Sequence, residues 1–169
     1  TTSFKATDFC LVAAPIRFKG SVKRARRVIE VTEVKKHWTE DPDKENGFLN
    51  WMAFDANKDA LDFDLENTNK ESEWLKKIMK TRGLTLDQIW SEIKTRAETK
   101  QYLVDLKRQL KLPGLLEAEH TMLAHNKYMI FCEKSREETG AVNHKRVLEE
   151  WKKWVDDVLV KDAQAKKIT

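Results

Sequence analysis

The sequence predicts a mainly α fold: a single domain with a four-helix bundle-like core and a basic N-terminal segment. Three observations carry this. From residue 69 onward apolar side chains recur at spacings of three and four, the period of one helix face. Capping and stopping residues stand where those runs begin and end. Only three prolines and five glycines interrupt 169 residues, which leaves little room for long linkers.

Taken in order, the first helix is capped by Asn69 or Ser72, carries Trp74, Leu75, Ile78 and Met79, and stops at Gly83. Thr85 stands three before Gln88, a capping box. The helix it opens shows Leu86, Ile89, Trp90, Ile93 and Ala97 on one face, runs on through Leu103, Leu106 and Leu110, and ends at Pro113-Gly114. The next carries Leu115, Ala118, Met122, His125, Met129 and Cys132 and closes at Gly140. On that reading His125 is a hydrogen-bonded core histidine. Asn143 caps the last helix, whose stripe is Val147, Leu148, Trp151, Trp154, Val155, Val158 and Leu159. Trp90, Trp151 and Trp154 fall on these faces as core anchors, whereas Trp38 and Trp51 sit at element edges, open to a partner.

The N-terminal third is ambiguous. Phe9 to Phe18 reads as a strand or an extended arm, because Pro15 breaks a helix there. In SVKRARRVIEVTEVKKHW, residues 21–38, a helix would align Val28, Val31, Val34 and Trp38, while the β-branched run VIEVTEV favours a strand. We read it as a helix, with a small β-hairpin near the N-terminus as the alternative. Phe48 to Phe54 reads as a helical turn after the Asn46-Gly47 turn signal. The chain then divides into a basic arm over 1–38, an acidic loop region over 39–68 and a helical core over 69–169, within one domain.

Charged residues make up 36% of the chain, mean hydropathy is -0.67, and no run of eighteen apolar residues occurs, so a soluble protein without a transmembrane span is expected. The stretch FCLVAAPI is too short for a span and follows Lys5 and Asp8 rather than a basic leader, so no secretory signal is expected. Cys10 and Cys132 form neither a CxxC pair nor a disulfide framework, which fits an intracellular, reducing compartment.

The charge is unevenly placed. Between Arg17 and Lys36 eight basic residues stand against Glu30 and Glu33, a net of +6, while the whole chain is +4, so the remainder is -2. Such a local surplus attracts phosphate backbones through counterion release, and arginine reaches phosphate oxygens bidentately. Arg17, Lys19, Lys23, Arg24, Arg26 and Arg27 are therefore the candidate nucleic-acid-binding residues, with Phe18 and Trp38 at hand for base stacking. The competing account pairs these arginines with Glu40, Asp41, Asp43 and Glu45, or with an acidic protein partner.

Two patterns raise metal chemistry. In FDANKDALDFDLE, Asp55, Asn57, Asp59 and Glu66 occupy the first, third, fifth and twelfth positions of a loop that resembles an EF-hand. The sixth position, where glycine makes the sharp turn, is Ala60, the eighth is Asp62, and no exiting helix follows in time. A solvated acidic loop is the plainer account of residues 55–66. Glu117 and His120 form an ExxH pair of the spacing used in carboxylate-bridged di-iron bundles, but it stands alone and off the apolar stripe, facing solvent. Neither a cofactor nor a metal is assigned. GxGxxG, Walker, GxSxG and HExxH motifs are absent, and no carboxylate pair is singled out by spacing.

The function expected from these residues is non-enzymatic: a structural or assembly subunit that binds a polyanion, foremost nucleic acid, through the basic segment and packs against other subunits, its own copies included. The alternatives are a protein-interaction subunit docking the same segment on an acidic partner, and a metal-binding protein.

Overall fold

The structure, a computed structural model, describes residues 4–17 and 22–166. It divides into two compact units, Thr1–Leu86 and Asp87–Thr169.

The first unit overturns the mainly α expectation. After a short 3-10 turn at Phe4–Ala6 come β1 (Phe9–Arg17), β2 (Arg24–Val34), β3 (Phe48–Asp55) and β4 (Ala60–Phe63), followed by α1 (Leu65–Glu71) and α2 (Glu73–Arg82). The strands form an antiparallel sheet in the order β1-β2-β3-β4. Residues 24–34 are a strand, not the helix read over 21–38, and residues 48–54 are a strand, not a helical turn. The physical reason lies in the partners. A β-branched run satisfies either period, and β2 has a ladder on each side, with Val31 opposite Leu11 on β1 and Met52 on β3. Pro15 does not break β1, because β1 is an edge strand where a missing N–H is tolerated.

Thr32, Glu33 and Val34 are consecutive and all buried, as in a strand covered on both faces. On the Glu33 side, Phe9, Trp51, Trp74 and Phe63 form an aromatic cluster, with the Phe9 and Trp51 rings edge-to-face at 4.9 Å. Trp38 and Trp51, expected at element edges, are 1% and 7% exposed and anchor this interior. Glu33 is the polar hub: Oε2 accepts from Trp51 Nε1 at 2.9 Å and Ser72 Oγ at 2.6 Å, and Oε1 from the Trp74 backbone N–H at 2.8 Å. Ser72 also caps α2, accepting from the Leu75 N–H, so one hydroxyl ties helix start to sheet.

The second unit is helical: α3 (Leu86–Leu110), a 3-10 turn at Pro113–Leu116, α4 (Ala118–Thr139), α5 (His144–Trp154), a π-helical stretch at Val155–Leu159, and α6 (Val160–Ala165). Its termini fall where the local chemistry puts them. Gly140 ends α4 in the left-handed region at φ 76°, and Asn143 caps α5 by accepting from the Arg146 N–H at 3.1 Å. The core gathers Leu103, Leu115, Tyr128, Val147, Trp151 and Val155, and Trp151 Nε1 donates to the Ala124 carbonyl at 2.8 Å. Because α2 belongs to the first unit, the four helices read from the sequence do not make one core.

The buried stripe of α4 is His120, Ala124, Tyr128, Cys132 and Ser135, not the Met122, His125 and Met129 face expected. His125 is exposed and His120 is buried, reversing both assignments. The helix carries apolar residues on two faces, so periodicity alone admits both. Among the described residues no helix is long and apolar enough to cross a membrane.

Candidate functional site

The register of β1 against β2 sorts the basic residues. Arg17 lies opposite Arg24, Pro15 opposite Arg26 and Ala13 opposite Val28; between them Ile16 faces Ala25 and Ala14 faces Arg27. Side chains alternate across a strand, so Arg17, Arg24 and Arg26 share one face with Ala13 and Pro15, while Arg27 points to the other. Ala13, Pro15, Arg17, Arg24, Arg26 and Val28 are all exposed.

This part of the hairpin is a ribbon of two strands only. The β2–β3 ladder begins at Glu30, opposite Ala53, so residues 24–28 pair with β1 alone. At the junction the register steps between Val12, opposite Glu30, and Ala13, opposite Val28, leaving Ile29 as a bulge. Bulges bend a strand pair and raise its twist, so the ribbon is re-aimed where it leaves the sheet.

Arg27 is engaged within the unit: Nε donates to Asp59 Oδ1 at 2.7 Å and Nη2 to Oδ2 at 2.9 Å, a bidentate pair that raises the guanidinium pKa further. Arg17, Arg24 and Arg26 have no side-chain ion pair or hydrogen bond among the described residues. Lys23 is exposed, and Lys19 lies outside the described residues. Farther along, Lys35 is buried with Nζ 3.7 Å from Glu71, and Lys36 pairs with Asp8 at 3.1 Å.

Of the loop acids considered as partners for the arginines, Glu45 and Asp41 are occupied elsewhere. Glu45 accepts from the backbone N–H groups of Asp41, Glu40 and Thr39, which hold its carboxyl down at about 2. Asp41 meets Lys44 at 3.2 Å. Electrostatically, then, two arginines face each other across the ribbon with a third beside them. Like charges directly opposite on a sheet are destabilising.

The metal patterns do not assemble. Among the described residues no cluster of three or more His, Cys, Asp or Glu side chains is placed to hold a metal ion. Residues 55–66 run from the end of β3 through a turn and β4 into α1, so a helix does follow in time, against the expectation, but a strand and not a helix leads into the loop and β4 takes up its second half. Asp55 accepts from the Asn57 N–H at 2.7 Å, Lys58 bonds Asp62 at 2.7 and 2.8 Å, and Asp59 holds Arg27. Glu117 is an exposed residue at the head of α4. His120 meets Asp162, not Glu117, with Nε2 3.2 Å from Oδ2. Lys166 and then His120 hold the Asp162 carboxyl below its usual range.

Three roles were invisible in the sequence: Glu33 as hub, Asp59 as the partner of Arg27, and Asp162 beside His120. Each pairing spans at least 18 residues, beyond the reach of any local motif. No family model, curated protein or solved structure matches the chain.

Proposed function

We propose that the β1–β2 ribbon binds nucleic acid through Arg17, Arg24 and Arg26, and that the protein is a binding subunit rather than a catalyst. The observation that supports this is the register, which gathers on one face three exposed guanidinium groups that are unpaired among the described residues and leaves Arg27 to Asp59 on the other. A two-stranded ribbon is one of the elements that the major groove of a duplex admits. On the same face Pro15, opposite Arg26, and Ala13, one pair farther along, have short side chains, so a phosphate backbone can approach the strands closely. An anion also relieves the repulsion between Arg17 and Arg24 that the free protein bears.

The test is the affinity for a random duplex oligonucleotide across a salt series. Each neutralised phosphate contributes about 0.9 to the slope of log K against log salt on B-form DNA. Replacing Arg17, Arg24 and Arg26 together by glutamine is expected to lower that slope by about 2.7, and Arg27→Gln to leave it nearly unchanged. Equal slopes for wild type and the triple variant would end the proposal and leave an acidic protein as the partner of this face.

A further inference from the structure

We propose that His37 is a pH-sensitive latch in the first unit, an imidazolium that ties the connection between β2 and β3 to the start of α2 and gives up one of its two holds when it loses its proton. β2 ends at Val34 and β3 begins at Phe48, with His37 in the connection between them. Its Nδ1 lies 2.7 Å from Oε1 of Glu73, the first residue of α2, and its Nε2 lies 2.7 Å from the Glu45 carbonyl oxygen. A carboxylate and a carbonyl can only accept, whereas a neutral imidazole has one N–H and one lone pair. Both contacts are hydrogen bonds only when both ring nitrogens carry a proton, so the closed arrangement requires the charged ring.

The charges around the ring agree with this. From α2, Glu73 also accepts from the Lys36 backbone N–H at 2.6 Å. Burial works to raise the Glu73 carboxyl pKa, but the Lys36 N–H and then His37 outweigh it and hold the group below its ordinary value, so it stays ionised at neutral pH. From the end of β2, Lys35 opposes a charge on the ring, and its Nζ is drawn to Glu71 of α1 at 3.7 Å, while Lys36 pairs with Asp8 at 3.1 Å. Within the connection, the Glu45 carboxylate is turned to the Thr39, Glu40 and Asp41 N–H groups, and Asp41 meets Lys44. The hydrogen bond to Glu73 first, and that to the Glu45 carbonyl next, raise the imidazole pKa above its ordinary 6.5. A base whose pKa is raised on folding contributes stability that is fully present below 6.5 and is lost as pH rises through the folded value. The neutral ring keeps one N–H. The carboxylate is the stronger acceptor, so that proton stays toward Glu73 and the Glu45 carbonyl is released.

The latch is independent of nucleic-acid binding and is tested on the full chain by NMR titration of the imidazole protons and of the Glu45 carbonyl carbon. The His37 midpoint is expected above 6.5, with the Glu45 carbonyl shift following the same midpoint. Nuclear Overhauser contacts between the His37 ring and Glu45 are expected below that midpoint and lost above it. Glu73→Gln keeps an acceptor oxygen for the Lys36 N–H but removes the charge, and is expected to lower the midpoint by roughly half a unit or more. His37→Gln is expected to abolish the titration of the Glu45 carbonyl while leaving the amide spectrum of the second unit unchanged, which separates loss of the latch from loss of the fold. A midpoint at or below 6.5, a Glu45 carbonyl that does not follow His37, or a midpoint indifferent to Glu73→Gln would overturn the latch.

Discussion

Glu33 offers the sharpest test of how the first unit is held together, through the substitution Glu33→Gln. The carboxylate is 1% exposed and accepts three hydrogen bonds, two at Oε2 and one at Oε1. Glutamine keeps the volume and replaces one oxygen by an NH2 group that can only donate. If the amide oxygen takes the Oε2 place, Trp51 and Ser72 keep their acceptor and the new donor faces the Trp74 N–H. If it takes the other place, two donors lose theirs. The better case still removes a hydrogen bond to a charged group and leaves buried donors face to face, a loss of about 2–4 kcal/mol. Glu33→Ala leaves three donors and a cavity and is expected to cost about 4 kcal/mol or more, a large share of the 5–15 kcal/mol typical of a folded domain. Urea unfolding followed by tryptophan fluorescence reads both changes, since Trp51 and the Trp74 backbone contact the carboxylate. A Glu33→Gln variant within about 0.5 kcal/mol of wild type would refute the hub, because surface-like behaviour is incompatible with three buried bonds.

At Gly47 a Cβ would stand 2.6 Å from Trp38 Cδ1 and 2.9 Å from the Pro42 carbonyl oxygen, so Gly47→Ala is expected to destabilise by about 1–3 kcal/mol in the same urea assay. The Glu45 carboxyl is depressed from 4.5 to about 2 by backbone N–H groups, so its contribution is present above pH 4.5 and is lost as pH falls through about 2. Hydrogen exchange at the Thr39, Glu40 and Asp41 amides is expected to lose protection across that window, and Glu45→Gln to abolish the dependence. Calcium is expected to leave the melting temperature unchanged, since Lys58 and Arg27 already hold Asp55, Asp62 and Asp59; a rise with calcium would restore the loop as a site.

Helix boundaries were legible because their causes are local. Ser72, Gly83, Gly140 and Asn143 act within four residues of their own position, and each stands where the sequence reading put it. Helix faces were less so: α4 has apolar residues on two faces, and packing against the core around Trp151, whose Nε1 donates to the Ala124 carbonyl, selects the His120–Tyr128 side. Strand against helix in residues 24–34 was not decidable locally, because the deciding hydrogen bonds come from β1 and β3.

By itself, the sequence determined where helices start and stop in the second half, that the basic surplus is confined to residues 17–36, and that no catalytic or metal signature is complete. Tertiary structure alone decided that Arg17, Arg24, Arg26 and Arg27 lie on strands, that a bulge at Ile29 sits where the ribbon leaves the β2–β3 ladder, and that Arg27 is consumed by Asp59 while Arg17, Arg24 and Arg26 have no side-chain partner among the described residues. The reason is the two-residue period of a strand. Neighbours such as Arg26 and Arg27 are equivalent in composition and opposite in space, and only pairing with another strand says which of them faces what.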